Sequence, residues 1–127
     1  MRVTQFIASE DGGSRFEELD IALDDPRQGA DGYALMASAP FSSSTACFVE
    51  LPAGLNQDWH QAPARQLVIL LSGVVEVTTT DDAVRRWAAG DMFIAGDVTG
   101  QGHKTRTIDG PATVIFLPID GNGLSAN

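Results

Sequence analysis

The chain has 127 residues, of which 43% are hydrophobic and 20% charged, and its formal net charge is −9. This composition is typical of one globular domain with a sizeable core, and the acidity argues against nucleic acid or anionic membrane as a partner. No stretch approaches the length of a membrane span and the first residues lack a signal-peptide pattern, so we expect a cytoplasmic protein.

Strands are predicted almost throughout the chain, because apolar and β-branched residues alternate with polar ones over short runs. In chain order the predicted strands cover residues 3–8, 16–23, 33–39, 45–51, 66–71, 74–80, 84–88, 92–95, 104–108 and 112–119. A helical turn at residues 16–19 competes with the second of them.

Segments rich in Gly, Pro, Asp and Ser separate these runs and predict turns or loops. They include residues 24–32, the Ser72–Gly73 turn, residues 109–111 and the glycine-rich loop 96–102. Many short strands without helical periodicity predict an all-β sandwich or closed barrel in one domain, residues 1–127. We expect the tail from about residue 120 to 127 to be mobile.

The residues that could take part in binding or catalysis lie between Gly54 and His103. His60 and His103 are the only histidines in the chain. In the first part of this region, His60 follows Gly54 after five residues, and Gln66 and Gly73 come next. The spacing resembles the first motif of the cupin superfamily, which has a glycine, two histidines, a glutamate and a second glycine. Both glycines and the first histidine match, whereas Ala62 replaces the second histidine and Gln66 replaces the glutamate.

A second block, beginning at Gly90-Asp91, resembles the second cupin motif. Gly96 stands where that motif has proline, and Gln101 stands where it has histidine. His103 follows two residues later, which indicates that the intervening loop is longer than in the motif.

The resemblance implies a double-stranded β-helix, the jelly-roll barrel of cupins, in which the motif side chains meet at one metal ion. It makes His60, Gln66 and His103 the expected ligands of Fe, Mn, Ni or Zn. It further implies a small organic molecule as substrate or ligand, a homodimer, and isomerisation, elimination or oxygenation as the reaction.

Two carboxylates near the motif are candidates for a catalytic role. Asp58 would share a face with His60 in an extended strand, and Asp97 lies in the loop before His103. Either could complete a two-histidine, one-carboxylate iron site or carry a proton. Without a metal, a neutral imidazole oriented by an aspartate can act as a general base. Both histidines could instead be structural residues of a pocket.

Three residues near the motif are candidates for substrate binding: Trp59, Arg65 and Gln101. Arg65 could hold a substrate carboxylate, or form a salt bridge at the surface or in a dimer. Trp59 could stack on a substrate or pack at the barrel mouth. Two functions stay open at this point: a metal-dependent enzyme acting on a small molecule, and a non-catalytic module that binds a small ligand in a degenerate site.

Overall fold

The structure, a computed structural model that describes residues 1–124, consists almost entirely of β-strands. The strands are β1 (Arg2–Ala8), β2 (Ser14–Asp20), β3 (Asp25–Gln28), β4 (Ala34–Ala37), β5 (Cys47–Leu51), β6 (Asn56–His60), β7 (Gln66–Thr78), β8 (Val84–Ala88), β9 (Met92–Gly96) and β10 (His103–Pro118). The helical content of residues 1–124 is one three-residue 3-10 turn, Ala30–Gly32. The all-β class expected from the sequence is therefore confirmed.

Within residues 1–124, no helix is long and apolar enough to span a bilayer. The last three positions of the predicted mobile tail, 125–127, lie outside the described residues. The carbonyl groups of Gly123 and Leu124, within that tail, accept hydrogen bonds from the Arg65 guanidinium.

Eight strands form one sheet in the order β2-β1-β9-β7-β10-β5, with β6 added beside β10 and β8 beside β7. The pairing of β1 with β9 is parallel, and β7 and β10 pair with each other along most of their length. The first half of β7 also pairs with β9 and its second half with β8. In the same way, β10 pairs first with β6 and then with β5. The two long strands therefore connect two parts of the sheet that have different neighbours.

A bulge lies where β7 and β10 change neighbours. The sequence predicted a turn at Ser72–Gly73 and a break between two strands at residues 109–111, whereas β7 and β10 continue through both positions. Gly73, Asp109 and Gly110 have φ angles of 79°, 57° and 137°, and the ladder shifts register between Ile108 and Thr113. Left-handed residues inside a paired strand bend it as a bulge rather than reverse the chain.

The predicted loop 24–32 contains a strand that the sequence did not indicate. β3 pairs with β4 as a two-stranded hairpin separate from the main sheet, and all of β3 is exposed. Without burial there is no alternation of apolar and polar residues to detect. The predicted strand 16–23 also differs from the structure, since β2 begins and ends earlier.

Side chains from both parts of the sheet share one core. Phe6, Val68, Val75 and Trp87 belong to one buried cluster, to which β1, β7 and β8 contribute. A second cluster on the other face of the sheet contains Leu67 and its neighbours. The alternation of side chains along β7 therefore supplies both clusters.

An apolar row on an outer face ends at the open edge of the sheet. Met92, Ile69, Ile115 and Phe48 are paired in register across β9, β7, β10 and β5, and Phe48 is 76% exposed. The other three residues of the row are half-buried, so the exposed apolar surface is at the edge residue. Exposed apolar groups at unpaired edges are typical of interfaces. The homodimer implied by the resemblance stays a prediction, which this row favours and light scattering would test.

Gly73→Ala should destabilise the chain strongly. The residue has φ +79°, and an added Cβ would overlap the Pro111 carbonyl oxygen and the Ala112 backbone, so we expect the free energy of unfolding to fall by about 3 kcal/mol or more. Gly54→Ala is a matched control, because Gly54 has φ +77° and open space around the added Cβ. It should lose only about 1–2 kcal/mol. Equal losses in urea denaturation would contradict the close contact at the bulge.

Candidate functional site

The two histidines face each other across the ladder between β6 and β10. His60 ends β6, His103 begins β10, and the two are register partners. Their ring centroids are 4.4 Å apart, with the ring planes at 53°. The structure therefore brings together two imidazoles that are 43 positions apart in the chain, counted as 103 minus 60.

Gly102 permits this close approach of the two strands. Its φ is +84°, and a Cβ at this position would overlap the carbonyl group of His60 and the backbone nitrogen of Gln61. The hydroxyl of Ser14 donates a hydrogen bond to the Gly102 carbonyl oxygen at 2.6 Å. The loop before His103 is thus fixed from one side by β2 and fits against β6 on the other.

Hydrogen bonds at Nδ1 define the state of both imidazoles. His60 Nδ1 lies 2.7 Å from the carbonyl oxygen of Asp58, and His103 Nδ1 lies 2.6 Å from Asp97 Oδ2. A carbonyl oxygen can only accept, and so can an ionised carboxylate, so each Nδ1 carries the proton. In the neutral rings, both Nε2 atoms keep a lone pair for a proton or a ligand.

Asp97 is buried behind His103. Its side chain is fully buried, and His103 is 5% exposed. Asp97 Oδ1 has no hydrogen-bond partner among the described residues. The hydrogen bond that Oδ2 accepts from His103 Nδ1 therefore offsets the cost of burying the carboxylate. Because Asp97 does not line the cavity that His103 faces, it can orient and polarise the imidazole but does not itself contact a ligand there.

Both imidazoles line a cavity of about 260 Å³. Its wall is mainly apolar and includes aromatic rings from three strands, namely Phe6, Phe93 and Phe116. The Phe6 ring lies 4.5 Å from the His103 ring, centroid to centroid. Of the polar residues proposed from the sequence, Gln66 also lines this cavity, at the start of β7.

The other proposed site residues lie outside the cavity wall. Strand parity predicted that Asp58 would point the same way as His60, but the ladder with β10 shifts register next to His103. The Asp58 side chain is 88% exposed and lies 3.9 Å from the Lys104 ammonium.

Trp59, Arg65 and Gln101 do not line the cavity either. Lys104 Nζ lies 5.0 Å from the centroid of the Trp59 ring, a cation–π contact at the surface. Burial lowers the pKa of Arg65, whose guanidinium donates to two backbone carbonyls. Gln101 is exposed.

Several wall residues were not identified from the sequence. Thr105 lies two positions after His103 on β10, so strand parity could have predicted it. Gln57 faces the cavity together with His60 only because of the register shift. Phe6 belongs to β1, and it reaches the cavity because β1 pairs in parallel with β9. A pairing between distant strands leaves no local pattern in the sequence.

The donor groups in the cavity are imidazoles, amides and a hydroxyl. Among residues 1–124, no group of three or more His, Cys, Asp or Glu side chains is arranged to hold a metal ion. Any metal bound here would need an amide oxygen or water in addition to the two histidines.

No protein-family model matches the chain. A curated relative, dimethylsulfoniopropionate lyase DddQ of Ruegeria pomeroyi, is 35% identical over 80 residues, which span 61% of this chain and 39% of the relative. The crystal structure of that lyase has a TM-score of 0.51 at 28% identity, covering 84% of this chain and 57% of the lyase chain. A cupin-2 domain protein of Shewanella frigidimarina has a TM-score of 0.46 at 17% identity, covering 75% of this chain and 79% of its own.

This chain therefore spans less than two thirds of the lyase it resembles. The likeness agrees with the motif spacing from Gly54 to Gly73 and with an all-β sheet that brings His60 and His103 to one cavity. In sequence and fold the chain is similar to this lyase, which agrees with the resemblance of its motifs to those of the cupin superfamily.

Proposed function

We propose that this chain binds a small organic molecule in the cavity and moves a proton on it, in an elimination or an isomerisation. The observation that carries the proposal is the imidazole pair, His60 and His103, in a mainly apolar wall whose described residues include no Asp, Glu, Lys or Arg. A mainly apolar pocket with a few convergent polar groups is typical of small-molecule sites. The relative named a lyase favours elimination.

The same proposal includes a closed jelly-roll barrel around the cavity. Wall residues come from both halves of β7, Val68 before the bulge and Val75 after it. They also come from both halves of β10, Thr105 and Val114. A sheet that curves around a shared cavity in this way is what a double-stranded β-helix requires.

His103 is the proposed general base. Its Nε2 lone pair would accept a proton from a carbon next to an electron-withdrawing group, and Asp97 would stabilise the resulting imidazolium through the bond to Nδ1. The electron pair left on carbon either shifts to form a new double bond or expels a leaving group. His60, with its ring 4.4 Å away, would relay the proton to the product or to the leaving group.

As the alternative to this metal-free base, we propose a divalent metal, Fe, Mn, Ni or Zn, held by His60, His103 and Gln66. In that case the imidazole lone pairs would bind the ion and would not accept a proton. Metal-ligating histidines almost always donate their other ring N–H to a carboxylate or a carbonyl, and both histidines do so here. When bound, such an ion polarises a substrate oxygen as a Lewis acid. Among residues 1–124 no carboxylate lines the cavity, so the affinity for a metal ion should be weaker than in a site with a charged protein ligand.

A second candidate function is ligand binding without chemistry. Ala62 lines the cavity and is 4% exposed, at the position where the cupin motif has its second histidine. The loss of that ligand, together with Gln66 in place of glutamate, favours a pocket that has kept its shape but lost its reaction.

Loss of the His103 imidazole should abolish proton exchange into bound molecules. In D2O, the wild-type chain should exchange the hydrogens next to the carbonyl group of at least one compound in a panel of small ketones and amides. Dimethylsulfoniopropionate is added to the panel because it is the substrate named for the relative. Proton NMR follows the exchange. His103→Gln should lower its rate about 10²- to 10⁴-fold, because the general base is lost. Gln101→Ala, outside the cavity, is the control and should keep the wild-type rate.

Asp97→Asn should lower the same rate while keeping ligand affinity, because it acts on the base and not on the ligand. Exchange that persists in His103→Gln, or that no compound in the panel shows, would contradict the proposed chemistry and favour the non-catalytic function.

Protein purified without chelator should contain divalent metal that both His60→Ala and His103→Ala remove, as measured by elemental analysis. Gln66→Glu should raise the affinity about tenfold or more, because a carboxylate offsets the charge of the ion. Gln101→Ala should retain the wild-type metal content. Protein that stays free of metal after equilibration with iron, nickel, zinc and manganese salts would refute the metal proposal.

A further inference from the structure

The cavity wall carries no fixed charge. None of the described residues that line it is Asp, Glu, Lys or Arg, although 20% of the chain is charged. Apart from the imidazoles, its polar groups are three amides and a hydroxyl, from Gln57, Gln61, Gln66 and Thr105. We infer that the cavity selects an uncharged ligand that carries a planar carbonyl or amide group on an apolar body. The inference rests on the proposed function, that a small molecule binds here.

Three cations of strands β8 and β10 have their partners outside the cavity. Arg106 Nε and Arg86 Nε each donate to the Glu76 carboxylate at 2.6 Å. The bond from Arg106, with that from Arg86, holds the pKa of Glu76 below its usual range. Val75 lines the cavity, so the next side chain along β7, that of Glu76, points to the opposite face. Lys104 lies over the Trp59 ring and near Asp58.

The Asp97 carboxylate does not face the cavity either. Its Oδ2 accepts a hydrogen bond from His103 Nδ1, and Asp97 is not among the residues that line the wall. A charged ligand entering this wall would lose hydration without gaining a counter-charge, and that loss is costly. The hydrogen-bonding groups of an amide or ketone can be matched there by neutral partners.

Gln66 is the residue that sets this selectivity at the reactive end of the cavity. Its amide both donates and accepts, so it can bind a ligand carbonyl, whereas an ionised carboxylate at this position could only accept. The rings of Phe6 and Phe93, 5.5 Å apart between centroids, offer an apolar surface to the rest of the ligand. Dimethylsulfoniopropionate, the substrate named for the relative, carries a sulfonium cation and a carboxylate, and this wall matches neither.

Three molecules of the same shape and different charge test the inference: benzamide, benzoate and benzamidine. Each would be titrated into the full chain from which divalent metal has been removed with a chelator, at pH 8, where ordinary imidazoles are neutral. Calorimetry would give the affinity, and the NMR signals of the two histidine rings would report binding in the cavity. We expect benzamide to shift both ring signals and to bind at least about tenfold more tightly than either ion.

The possible failures can be told apart. Benzoate or benzamidine binding as tightly as benzamide, with shifted histidine signals, would overturn the selection for uncharged ligands and leave the small-molecule pocket intact. If none of the three molecules shifted the histidine signals, the proposed binding function would itself fail, and the inference with it.

A charged side chain introduced into the wall should change which of the three molecules binds most tightly. Gln57 lines the cavity and is exposed, so Gln57→Lys and Gln57→Glu are expected to fold. The first should raise the affinity for benzoate relative to benzamide about tenfold, and the second should do so for benzamidine. Gln101→Lys and Gln101→Glu, outside the cavity, should leave the preference unchanged. An unchanged preference in both Gln57 variants would overturn wall charge as its cause.

Discussion

The site depends on the register between β6 and β10. That register makes His60 and His103 direct partners, although neither strand has an apolar pattern strong enough to fix it alone. Gly102 allows the two backbones to approach so closely that any side chain at this position would overlap β6. The proposed chemistry of the pocket therefore rests on a backbone constraint rather than on contacts between the two histidine side chains.

Asp97 links the electrostatics of the site to its chemistry. The fully buried carboxylate of Asp97 is tolerated because it accepts a hydrogen bond from His103 Nδ1. The same bond leaves Nε2 as the reactive nitrogen and supplies the negative charge that would stabilise an imidazolium. The wall itself needs no further charge, and it has none. One hydrogen bond would thus account both for the proposed base and for the proposed preference for uncharged molecules.

The sequence predicted much of the fold because alternation and turn residues are local signals. β8 was predicted with its observed bounds, and Gln66 was placed at the start of a strand that lines the cavity. The bulge at Gly73 was not predicted, because a positive φ within a paired strand and a turn have the same composition.

The face on which Asp58 lies could not be predicted, because strand parity fails wherever the ladder shifts register. Phe6 was missed for another reason, since its position depends on pairing between β1 and β9, which are far apart in the chain. Distant pairings of this kind determine the cavity wall, whereas the motif spacing determines only its reactive end.

The central claim concerns the ring nitrogens, and NMR of ring ¹⁵N nuclei tests it directly. With two histidines in the chain, a long-range ¹⁵N–¹H spectrum at pH 8 resolves both rings. We predict that both carry their proton on Nδ1, that the Nδ1 proton of His103 is shifted strongly downfield by Asp97, and that the rings show a mutual nuclear Overhauser effect. An Nε2 proton on either ring, or no effect between the rings, would contradict the shared site.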